Sequence, residues 1–116
     1  MLRKVQQIAG VLVAAQGAAH SFLGTPMFFG AVNQQAVWFA GAGFAMIFLG
    51  LLNLAPTAAL PRWLRWGILL SNVLWLGLMV GLLSTSLSAR VIAAVVFAVG
   101  CTIGSLAGVV GTSQPS

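Results

Sequence analysis

The chain has 116 residues, 60% of them hydrophobic and only 4% charged, with no Asp or Glu against 5 Lys and Arg, for a formal net charge of +5. A soluble domain is about a quarter charged, and a water-facing surface built from this inventory would expose apolar patches large enough to aggregate. The bilayer is the solvent that fits, in line with a mean hydropathy of +1.08. The high pI is no sign of nucleic-acid binding, which needs Lys and Arg clustered on a solvated face. Arg3, Lys4, Arg62, Arg65 and Arg90 instead flank apolar runs, where cations serve as topology signals and contacts to anionic lipid headgroups.

A helix needs roughly 20 apolar residues to cross the hydrocarbon core. The first such stretch runs from about Val5 to Gly24. Thr25-Pro26 is expected to stop it, because proline lacks the N–H and restricts the residue before it. Met1 to Ala19 imitates a signal peptide, but Gln6 and Gln7 interrupt its early apolar run, which favours a retained helix. Gly10, Ala14 and Ala18 recur every four residues, with Gly17 and Gly24 on a neighbouring face. Gln16 and His20, also four apart, share a face.

An uncharged linker containing Asn33, Gln34 and Gln35 leads to the second stretch, about Val37 to Ala55, which holds Gly43 and Gly50 and ends near Asn53. Pro56 and Pro61 bracket the next connection, which carries Arg62 and Arg65. The third stretch, about Trp66 to Leu83, contains Asn72, Gly77 and Gly81. Asn53 and Asn72 lie at similar depth and are placed to hydrogen-bond across the hairpin. A hydroxyl-rich connection follows, and its Ser88 suits the N-cap of the fourth stretch, about Ala89 to Gly111. That last stretch holds Gly100, Gly104 and Gly108 at four-residue spacing, beside Cys101, Thr102 and Ser105.

In lipid the backbone must satisfy its own hydrogen bonds, so all four stretches are expected to be helices. The loops leave no room for a soluble domain. The expected fold is one all-α domain spanning residues 1–116, an integral membrane four-helix bundle running up-down-up-down. With the N-terminus inside, Arg3, Lys4, Arg62 and Arg65 collect on one side and Arg90 on the other, so the positive-inside rule places both termini in the cytoplasm. Trp63 and Trp66 then mark the inner interface and Trp38 the outer one.

Small residues let membrane helices approach closely. Gly77, Gly81, Gly100, Gly104 and Gly108 therefore serve either packing inside the bundle or an interface with another subunit. The ridge on the fourth helix is the sharper candidate for the second role.

Intramembrane polar residues are costly and informative. Gln16, Asn53, Asn72 and Thr102 read as interhelical hydrogen bonds or as the lining of a pathway. His20, the single histidine, has three readings: a hydrogen-bonded imidazole that fixes the bundle, a contact to a quinone or lipid, or a haem ligand. The last would need a methionine such as Met27, Met46 or Met79 on the far side of the iron. No metal site is expected, since zinc needs several His, Cys or carboxylate ligands, and no cofactor is assigned. The lone Cys101 excludes an internal disulfide and paired-thiol chemistry.

The length and helix count match the small multidrug resistance family, but that family's proton-coupled export depends on an embedded carboxylate, and this chain has none. Paired-carboxylate hydrolysis and a Ser-His-Asp triad fail for the same reason. An enzyme acting alone is not expected.

The segments GAAHSFLG (17–24), WFAGAGF (38–44) and GLLNL (50–54) resemble small four-helix bacterial membrane families of unknown function, including the DoxX-like group. In those families a small-residue-rich first helix often carries one histidine, and the second opens with an aromatic–glycine stretch. The resemblance covers the first half of the chain. It implies a four-helix fold in a bacterial inner membrane and supplies no reaction. The favoured function is an accessory or structural subunit of a larger membrane complex, partnered by other membrane subunits or by copies of itself. One alternative is a small oligomeric transporter or channel for a neutral or anionic solute. The other is a quinone-, haem- or lipid-contacting protein using His20.

Overall fold

The computed structural model describes residues 1–111. Every regular element among them is helical, and four helices are long and apolar enough to cross a membrane: α1 (Leu2–Phe28), α2 (Gln34–Leu52), α3 (Arg62–Thr85) and α4 (Ala89–Val110). A short 3-10 turn, Thr57–Ala59, lies between α2 and α3.

Two of the four helices begin where a side chain provides for it. Asn33 Oδ1 accepts from the Ala36 N–H at 2.8 Å to cap α2, and Ser88 Oγ accepts from the Val91 N–H at 3.3 Å to cap α4. α2 and α3 each start several residues before their apolar runs. Hydropathy marks the part of a helix that suits lipid, whereas backbone pairing extends into the polar flanks.

The expected stop at Thr25-Pro26 does not occur. α1 passes through a π-helical turn over Ala19–Gly24 and adds one α turn, Thr25–Phe28, before Phe29 turns extended. A π turn already interrupts the i→i−4 ladder, so the N–H that Pro26 lacks is missed less, and such local adjustments let membrane helices tolerate proline.

Glycine decides which helices meet. A Cβ added to Gly10 would lie 2.8 Å from the Gly50 carbonyl oxygen, and one added to Gly17 would lie 2.5 Å from that of Gly43. The antiparallel backbones of α1 and α2 therefore touch where neither residue carries a side chain. On the other flank of α1, Gly100 faces Ala9, with 3.0 Å between the added Cβ and the alanine Cβ. Gly104 faces the side chain of Gln6, and Gly108 faces Thr57. The ridge of α4 is thus covered within the chain, which is the first of the two roles expected for it, packing inside the bundle. Gly77 and Gly81 show the reverse: an added Cβ would meet nothing within 4 Å, so they do not pack inside the bundle.

The helices follow one another around the bundle as α2, α1, α4 and α3. Neighbours in that order pack along their lengths, while α2 and α3 barely meet. Ala9, Val13, Met46 and Cys101 form the buried core, with Trp75 and Phe97 against it. Phe22, Phe48, Leu74 and Val96 stand exposed on the outside, a surface that suits lipid and not water.

Candidate functional site

The two ends of the bundle differ in kind. At the end holding the start of α1, one polar side chain from each helix enters a shared network. Asn53 and Asn72 exchange a reciprocal amide pair: Asn53 Nδ2 donates to Asn72 Oδ1 at 2.9 Å, and Asn72 Nδ2 donates to Asn53 Oδ1 at 2.8 Å. Gln6 Nε2 donates to Asn53 Oδ1 at 3.0 Å. Asn72 Nδ2 also reaches the Cys101 carbonyl at 3.2 Å and Ser105 Oγ at 3.0 Å. Gln6, Asn53, Asn72 and Ser105 are all buried, and buried polar groups of this kind persist only when satisfied.

Arg3 completes this end. Its guanidinium donates to Gln6 Oε1 at 3.1 Å, to the Asn53 carbonyl at 3.2 Å, to the Leu54 carbonyl at 3.0 Å and to the Ala55 carbonyl. The planar fork gathers the carbonyls of the turn leaving α2, where a cation also suits the negative end of the helix dipole.

The opposite end is hollow. A cavity of about 670 Å³ opens between the helices, walled mainly by apolar side chains such as Leu23, Phe28, Phe39, Met46, Trp75 and Leu82. Its polar lining is sparse: Gln16 and His20 from α1 and Arg90 from α4. Its origin follows from the packing. Glycine contacts clamp α1 to α2 and to α4, and the asparagine pair ties α2 to α3 near one end only. Beyond that tie α2 and α3 diverge. A second, outward-facing hollow of about 450 Å³ lies in the seam between them, and Trp75 and Leu78 line both.

The polar groups at the cavity are only partly satisfied. Gln16 Nε2 donates to the Arg90 carbonyl at 3.2 Å, while its Oε1 is buried with no partner. The His20 ring lies flat on Phe39, centroids 3.8 Å apart and planes 17° apart, and its Nε2 is also buried without a partner. Trp75 Nε1 is a third such atom. At the next residue of the π segment, Ser21 Oγ donates to the Ala40 carbonyl at 2.6 Å and joins α1 to α2. A large apolar hollow with a few unsatisfied polar atoms on its wall has the form of a small-molecule site.

The predicted residues therefore divide. Gln16 and His20 come together at the cavity. Asn53 and Asn72 meet at the far end, and neither lines the cavity. Thr102 donates to the Ala98 carbonyl of its own helix at 2.7 Å and joins neither site directly. Met27, Met46 and Met79 all line the cavity with His20. Among the described residues no three His, Cys, Asp or Glu side chains gather.

Sequence reasoning missed Arg3 and Gln6 as network members, Trp75 as cavity wall and Arg90 as a cavity cation. Gln6 carried a usable signal, because it continues the four-residue interval of Gly10 and Ala14 and so belongs to the packed face. Comparison with known proteins adds no relative: no family model, no curated protein and no solved structure matches this chain.

Proposed function

We propose that this chain is a ligand-binding membrane protein that holds one amphipathic molecule of the bilayer in the cavity beside His20 and Arg90. The cavity carries this reading: its volume of about 670 Å³ lies in the range of sites that enclose a single small molecule, roughly 300–1,000 Å³. In this reading the helices run up-down-up-down with both termini in the cytoplasm. The cations Arg3, Lys4, Arg62 and Arg65 against Arg90 alone support that orientation. The resemblance to small four-helix families supports a bacterial inner membrane. The protein holds its ligand without transforming it, since the composition lacks the acid–base pairs that such chemistry uses.

The test is to purify the chain in mild detergent and measure its mass by native mass spectrometry. An adduct of one small amphipathic molecule is expected. Ala42→Phe, which fills the cavity from an exposed position on α2, is expected to lose the adduct and stay folded. Equal adduct in the filled variant overturns the reading.

A second reading, an accessory subunit of a larger complex, has its own support in Gly77 and Gly81, whose open face on α3 would admit a close-packed helix of another protein. Co-purification of a membrane partner that Gly81→Leu abolishes would favour it. A transport pathway receives less support, because Asn72 is engaged in the closed network and only Gln16 and His20 of the polar set reach the cavity.

A further inference from the structure

We propose that the ligand is an anionic amphiphile, its negative head held at Arg90 and its apolar tail lying in the cavity among Phe28, Phe39, Met46 and Trp75. This rests on the reading of the cavity as a ligand site and goes further by fixing the ligand's charge.

Charge balance is the first ground. Arg90 is the one cation that lines the large cavity, and the chain contains no Asp or Glu to neutralise it. Arg3, by contrast, is engaged with carbonyls at the far end. No hydrogen bond to the Arg90 guanidinium exists among the described residues. Arg90 is exposed, so its guanidinium is open to a carboxylate or phosphate from outside the chain.

Position is the second ground. Arg90 lies in the first turn of α4, two residues beyond its capping Ser88, and Gln16 Nε2 holds its backbone carbonyl at 3.2 Å. The guanidinium therefore stands at the rim of the hollow while its backbone is fixed to α1. His20 and Trp75 also line the cavity, and among the described residues the buried atoms Trp75 Nε1 and His20 Nε2 have no partner. A carboxylate or phosphate suits the guanidinium, pairing bidentately with its fork. A neutral apolar molecule would leave the guanidinium unpaired.

The wall itself supplies the assay. Trp38, Trp63 and Trp66 are exposed at 72%, 73% and 50%, so changing all of them to Phe leaves Trp75 as the single fluorophore beside the ligand. Bromine-labelled stearic acid and its uncharged methyl ester are titrated into this full-length variant in nonionic detergent. Bromine-labelled phosphatidylglycerol and phosphatidylcholine form a second pair, which separates a bilayer lipid from a free acid as the source of the head. Saturable quenching of Trp75 is expected from one anionic probe. Its counterpart should bind at least about tenfold more weakly, as the loss of a charged hydrogen bond implies. Arg90→Gln should erase that preference and Arg90→Lys should retain part of it. Equal binding within both pairs overturns the anionic ligand and leaves the cavity reading standing. Absence of saturable quenching by any probe overturns the cavity reading itself.

Discussion

Asn53 and Asn72 face each other across the α2–α3 hairpin and exchange two amide hydrogen bonds, of 2.9 and 2.8 Å. Both side chains are almost wholly inaccessible, at 0% and 1% exposure. This pair is the principal tie between α2 and α3, which otherwise barely meet. It holds one end of the bundle shut while the other spreads around the cavity.

Asn72→Leu should destabilise the protein by about 1–3 kcal/mol, because it leaves the amide of Asn53 and the hydroxyl of Ser105 short of partners. Membrane hydrogen bonds taken singly average about 0.6 kcal/mol, so the excess measures the unsatisfied groups. In SDS unfolding from mixed micelles, the double variant Asn53→Ala, Asn72→Ala should cost less than the sum of the two single losses. Strict additivity would show that the pair is not coupled.

Glycine substitutions should sort by position and not by helix. Gly17→Ala puts a methyl 2.5 Å from the Gly43 carbonyl and 2.7 Å from Met46 Cβ, and overpacking of that kind costs about 1–3 kcal/mol. Gly77→Ala and Gly81→Ala meet open space and should be neutral or stabilising by up to about 1 kcal/mol, since alanine is the better helix former. The same unfolding assay reads both. Equal losses at all these sites would contradict the packing described.

Arg3 should matter to stability and not merely to orientation. Arg3→Gln removes a charged donor from the turn leaving α2 and should lower stability by about 1–3 kcal/mol. Arg3→Lys keeps the positive charge but not the fork, and should recover only part of that loss. Full recovery by lysine would return Arg3 to the role of a topology signal alone.

A visible spectrum of the purified protein should lack a Soret band, because the ligand proposed for the cavity beside His20 is an amphiphile and not a haem. A Soret band lost in His20→Ala would overturn that expectation. Orientation is checked separately with single cysteines, after Cys101→Ala, placed at Lys4 and Ser86. An impermeant thiol reagent added outside intact cells should label the second and spare the first.

Much of the fold was legible because its causes are local. Four apolar runs, the caps Asn33 and Ser88 and the missing carboxylates can each be read without knowing what lies opposite. The candidate site was legible only in pieces. The four-residue interval placed Gln16 and His20 on one face, and matching depth paired Asn53 with Asn72. Nothing local said that Gln6 would join that pair, or that Pro26 would follow a π turn instead of ending α1.

The sequence by itself determined the solvent and the secondary structure: a carboxylate-free, apolar chain has to satisfy its backbone as helices in lipid. Only the tertiary structure decided which glycine ridge turns inward and which stays open, since both have the same spacing and differ only in what faces them. It alone decided the cavity. That hollow belongs to no residue, and it exists because glycine clamps α1 to two neighbours while the amide pair ties α2 and α3 near one end only.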